Sequence, residues 1–194
     1  NNYNTSEDLS YSTEDLNLNF GMPSTLSFTE GLTTGDTDTN TYYTKNISHF
    51  QSLMKNLSTK GPNITLNVLT NLDGKLLLDD NYINSLGNGD CEKILMQSID
   101  GISTIYNIKL SSALLTTTGT IQLSNIGLVV DTIQSSSTDV YIGNTNGVFV
   151  KEAGRLEANN VYVSLKNQVV LSSVDNFGLL AGQVGTANIS NCFT

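Results

Sequence analysis

The stretch Thr120-Ile121-Gln122-Leu123-Ser124-Asn125-Ile126-Gly127-Leu128-Val129-Val130-Asp131-Thr132-Ile133 decides the fold class. Its first five residues alternate polar and apolar side chains. Residues Gly127 to Ile133 then form a β-branched run. Both patterns are those of strands with a face in a core, so Thr120–Ser124 and Gly127–Ile133 read as two strands. Outward from this stretch the texture persists. Ile64 to Val68 alternates, Asp73-Gly74 is a tight-turn dipeptide, and Lys75 to Leu78 reads as the strand that follows it. Ser103–Leu110, Val140–Ile142, Val148–Lys151, Asn160–Lys166, Val169–Ser172 and Leu179–Ala181 are further strand candidates. Gly119, Asn144 to Gly147, Glu152 to Gly154 and Asp175 to Gly178 separate them as turns.

Short strands at such spacings imply a sandwich or barrel, or a β-solenoid. The region from Thr116 to Gly185 is polar, Asn-rich and Gly-punctuated, as solenoid rungs are, but its segments share no fixed period. The expectation is therefore an all-β, mainly antiparallel, Ig-like sandwich with one short helix. A right-handed β-solenoid with a helical cap is the alternative. The helix is placed at about residues 44–58, where Ile47, Phe50, Met54 and Leu57 fall on one face and Gly61-Pro62 stops the run.

The 194 residues suffice for one sizeable core. Only 14 % are charged, against about 25 % in ordinary soluble domains. Ser, Thr and Asn cover the surface instead, and such a surface responds little to carboxylate titration, which suits a harsh exterior. The net charge of −9 repels phosphate backbones and anionic lipid, so nucleic acid is excluded as a partner. No run of apolar residues is long enough for a membrane span. The chain starting at Asn1 reads as a mature secreted form from which a signal peptide has been removed. Residues 1–44 contain seven acids and no base.

Cys91 and Cys192 are the only cysteines. In a secreted protein they are expected to pair, closing a loop whose constraint is worth about 4.7 kcal/mol in the chain-entropy model; two free buried thiols are the alternative. Candidates for chemistry are few. His49 lies on the helix away from its apolar face and has no orienting partner. Asp79-Asp80 begin a polar turn, and Asp100, Asp131 and Asp175 are too scattered in sequence to define a glycosidase pair. The run Asp36, Asp38, Asn40 opens like a calcium loop but has Thr41 where Gly is required and Ile47 where Glu is required. No catalytic residue, cofactor or enzymatic activity is expected. Five Asn-x-Ser/Thr sequons, at Asn4, Asn46, Asn56, Asn63 and Asn188, predict N-linked glycans, with Asn46 and Asn56 about 80° apart around the helix.

Near the N-terminus, Leu16-Asn17-Leu18-Asn19-Phe20 places three apolar side chains on one face of a strand, and Leu9 and Tyr11 form a weaker upstream alternation. An acidic strand-forming arm, a Ser/Thr/Asn-rich β domain, a cysteine pair and several sequons together resemble the archaeal thread pilins and other donor-strand filament subunits. That resemblance implies a pilin-like sandwich missing one strand, which the arm of the next subunit supplies. Residues 1–22 would then be the donor arm and 23–194 the globular domain, with Leu9, Tyr11, Leu16, Leu18 and Phe20 at the interface. The function so implied is an extracellular adhesive filament of identical copies. Rival readings are a carbohydrate-binding or carbohydrate-active solenoid, and a coat or S-layer-associated component.

Overall fold

The structure, a computed structural model, describes residues 39–77, 82–83, 91–110, 112–133, 147–166 and 177–194. It contains nine strands and one α-helix: β1 (Thr39–Thr44), α1 (Ile47–Lys55), β2 (Asn63–Val68), β3 (Leu72–Asp73), β4 (Tyr82–Ile83), β5 (Lys93–Gln97), β6 (Ser103–Leu110), β7 (Leu115–Ile133), β8 (Val150–Leu165) and β9 (Ala181–Ser190). The mostly β content and the single short helix match the sequence reading. The pairing does not. Every pairing between named strands is parallel, which overturns the antiparallel sandwich.

The register shows how the chain winds. Thr39 pairs with Asn63, Asn63 with Lys93, Lys93 with Thr120, Thr120 with Arg155 and Arg155 with Thr186, so successive turns take 24, 30, 27, 35 and 31 residues. Each strand thus pairs with the chain one full turn away. Strands 120–124 and 126–130 are two sides of the same turn within β7, bent at Asn125. The first pairs with β5 and the second with β6.

Alternation within each strand fills the interior of this coil. Ile64, Ile94, Ile121 and Leu156 stack in one column, and Leu66, Met96, Leu123 and Ala158 in the next. All eight are buried. Leu72, Ile105, Leu128 and Val163 form the matching column on the second side. Each large apolar member contributes about 1.5–3 kcal/mol by leaving water. Few buried side chains are polar, and those are bonded. Ser98 and Ser103 hydroxyls lie 2.8 Å apart, with Ser103 also donating to the Val68 carbonyl at 3.2 Å, and the Thr117 hydroxyl donates to the Cys91 carbonyl.

The corner between the two sides is an asparagine column. Asn125, Asn160 and Asn191 have φ of 57°, 59° and 53°, the left-handed conformation that asparagine tolerates better than most residues. Asn160 Nδ2 donates to Asn125 Oδ1 at 2.9 Å, and Asn125 Nδ2 to the Ser98 carbonyl at 3.1 Å, so the corner is bonded from turn to turn. On the second side Tyr162 crosses the open space over Gly127, where a Cβ would fall 2.3 Å from its ring. Its hydroxyl lies 2.6 Å from that of Thr104 two turns away, and its ring stacks on Phe193 at 5.6 Å.

Helix α1 covers one end of the coil. Asn46 caps it by accepting from the Ser48 and His49 amides at 2.8 and 3.2 Å, and Ile47, Phe50, Leu53 and Met54 are buried. A 3-10 turn, Leu57–Lys60, leads to Gly61, whose φ of 118° ends the helical run. The helix and its stop are where the sequence placed them. The expected hairpin at Asp73-Gly74 is replaced: Asp73 accepts from the Lys75 amide and caps a 3-10 turn, Gly74–Leu76, so no strand begins at Lys75. Glu152 to Gly154, read as a turn, lies inside β8.

Candidate functional site

The first side of the coil, which carries β1, β2, β5, the front of β7 and β8, and the end of β9, presents its outward side chains in rows. One row runs Tyr43, Asn67, Gln97, Ser124, Asn159, Ser190, and a neighbouring row Thr65, Leu95, Gln122, Glu157, Asn188. Strand alternation puts these groups outside because their neighbours fill the core. They bond across turns. Gln97 Nε2 donates to Asn67 Oδ1 at 2.9 Å, Gln122 Nε2 to Glu157 Oε1 at 2.6 Å, and Ser190 Oγ to Asn159 Oδ1 at 2.9 Å. Over the later turns the rows border a groove of about 370 Å³.

Glu157 is the one carboxylate of this groove. Arg155 Nε donates to its Oε2 at 2.7 Å, and that bond, with the one from Gln122, holds its carboxyl below the usual range. Asp73 is also held low, by Asn107 Nδ2 at 2.8 Å and by the Lys75 amide at 3.0 Å. Because both values are depressed in the folded chain, their stabilisation is present above the unfolded carboxylate range and is lost as pH falls through the folded values. Both groups are exposed, so the effect is small. The melting temperature should stay nearly flat from pH 7 to about pH 5 and fall below about pH 4. Thermal melts across that range check this, with Asp73→Asn flattening the acidic limb. A steep loss between pH 7 and 5 would contradict it.

The second feature is the far end of the coil. Among the described residues β9 pairs with β8 alone. Its inward positions continue the core columns as Ala187 and Ile189, but here they face outward from an uncovered turn: Ile189 is 48 % exposed and Phe193 67 %, where Leu123 two turns earlier is 2 %.

The sequence candidates distribute as follows. Leu9, Tyr11, Leu16, Leu18, Phe20, Asn4, Asp36 and Asp38 lie outside the described residues, as do Asp79, Asp80 and Asp175. Asn40 is a half-buried residue of β1, and no group of three or more acidic, His or Cys side chains suited to a metal occurs among the described residues. Asp100 sits in the turn before β6 and Asp131 near the end of β7, at opposite ends of the second side. His49 is half-buried rather than exposed.

Cys91 and Cys192 are both free, which corrects the expected disulfide. Cys91 is buried before β5 and Cys192 follows β9, three turns on, or about 14 Å along the coil at ~4.8 Å per turn. A disulfide tolerates roughly 4.4–6.8 Å between Cα atoms. Of the described sequons, Asn46 and Asn56 flank α1 as its N-cap and C-cap rather than riding on one helical face. Asn63 is half-buried at the start of β2, and Asn188 points outward from β9 into the groove. The groove itself escaped sequence reasoning, since its rows unite residues about 30 positions apart. The signal available was the polar residue at every second position of Thr120–Ser124.

The fold and these two features define a mostly β chain wound from parallel strands, with a polar outer side and one open end. The chain matches no family model, no curated protein and no solved structure.

Proposed function

We propose that the protein is a non-enzymatic subunit of an extracellular surface filament, a β-solenoid module that assembles head to tail by strand addition and serves adhesion or cell-cell contact. The right-handed sense follows the rule for parallel strands joined by crossovers. One observation carries the reading: β9, Ala181-Gly182-Gln183-Val184-Gly185-Thr186-Ala187-Asn188-Ile189-Ser190, has neither a charge nor a proline. Natural sheet edges are normally blunted by lysine, proline or a cover, because an open edge templates further pairing. This edge is left suited to it.

The acceptor is therefore a solenoid end and not the cleft of an incomplete sandwich. The donor is the N-terminal arm of another copy. Leu16, Leu18 and Phe20 alternate as a strand must in order to cover Ala187, Ile189 and Phe193, with Leu9 and Tyr11 extending the contact. Residues 1–38 exceed the 24–35 residues of a turn, so the arm is long enough to lay down one more. Because α1 covers the opposite end, addition is polar, and a head-to-tail contact of this kind propagates instead of closing.

Negative-stain microscopy and sedimentation of the full chain and of a chain lacking residues 1–22 test the reading. Long thin fibres from the first and monomers from the second are expected. Fibres from the deletion variant, or monomers from both, would overturn it.

A further inference from the structure

Independently of assembly, we infer that the groove on the first side binds a neutral oligosaccharide laid along the coil. Its bordering groups are short amides and hydroxyls: Gln97, Gln122, Ser124, Asn159 and Asn188, with the Glu157 carboxylate among them. These are the donors and acceptors that pair with sugar hydroxyls. They are arranged by the backbone, since parallel register repeats them at each turn about 4.8 Å apart, and they are oriented by the bonds from Gln122 to Glu157 and from Ser190 to Asn159. Leu95, outward and half-buried beside them, offers the apolar contact that a sugar's C–H face requires.

Charge selects the ligand class. The chain carries −9, and the groove's carboxylate stays ionised because Arg155 and Gln122 hold it so. Uronic or sulfated sugars would meet repulsion from both, which leaves uncharged polysaccharide. The Arg155 guanidinium is engaged by Glu157, so it does not offset that repulsion. With no aromatic side chain bordering the groove, affinity rests on hydrogen bonds and grows with the number of turns spanned.

The test is amide NMR titration of the full chain, produced without N-glycosylation because Asn188 carries a sequon inside the groove. The probes are malto-, cello-, xylo- and N-acetylchito-oligosaccharides of two to six sugars, with an oligogalacturonate as the anionic comparison. At least one neutral series should give saturable shifts confined to β5, β7, β8 and β9, with a Kd of roughly 1 mM or below that tightens with length. The anionic series should bind more weakly. Gln122→Ala combined with Asn188→Ala should weaken binding at least about fivefold without moving the melting temperature. No saturable shift with any neutral sugar at about 10 mM, or binding indifferent to the double variant, would overturn the inference.

Discussion

Replacing Phe50 by alanine is expected to lower the unfolding free energy by about 3–5 kcal/mol. Phe50 is fully buried and sits at the middle of the apolar face of α1, between Ile47 and Met54. Its loss removes a large apolar surface and leaves a cavity between the helix and the first turns. The consequence extends beyond one side chain. A nine-residue helix does not persist in water on its own propensity, so α1 depends on this packing to stay folded. Without it, the columns that begin at Ile64 and Leu66 lose their cover. Urea denaturation monitored by far-UV circular dichroism should show a lower midpoint, together with increased binding of a hydrophobic dye. A midpoint within error of the parent chain would mean that α1 does not close the core.

An equally large effect is expected at the other end from Gly154→Ala. Gly119, Gly154 and Gly185 lie in one column at the bend before the first side. A Cβ on Gly154 would lie 2.1 Å from the Thr118 carbonyl oxygen of the neighbouring turn. Nothing flexible can yield, because the obstacle is backbone. The methyl group forces β7 and β8 apart where they are bonded most extensively, and the expected cost is about 3 kcal/mol or more. Hydrogen exchange should show the loss concentrated in β8 and β9, since stacked turns contact mainly their neighbours. Protection unchanged in those strands would refute the close approach. The requirement here is for the absence of a Cβ and not for a left-handed backbone, so alanine should be no better tolerated than serine.

Both predictions concern features that the sequence revealed to different degrees. The helix was legible because Asn46 announces its start, its apolar spacing has one period, and Gly61-Pro62 ends it. Ser103–Leu110 was legible to the residue, since alternation over eight positions admits little else. β5 went unread because Leu95 stands on its outer face and spoils the alternation of Lys93-Ile94-Leu95-Met96-Gln97. Gly154 was taken for a turn because glycine marks both chain reversal and close backbone approach, and a sequence does not say which.

What the sequence determined by itself is the local conformation: which residues extend, which face of each strand is apolar, where the helix lies, and that the surface is neutral and hydroxyl-rich. The partner of each strand was decided only by the tertiary structure. Alternation has a period of two whether the neighbour runs parallel or antiparallel, so the pattern that identifies a strand carries no information about direction. Turns of 24, 30, 27, 35 and 31 residues keep the columns in register while hiding the repeat. That winding separates Cys91 from Cys192, gathers Gln97, Gln122, Glu157 and Asn188 along one groove, and leaves the uncharged edge of β9 open. Each of these follows from which backbone hydrogen bonds form between distant segments, and those bonds involve atoms that every residue shares.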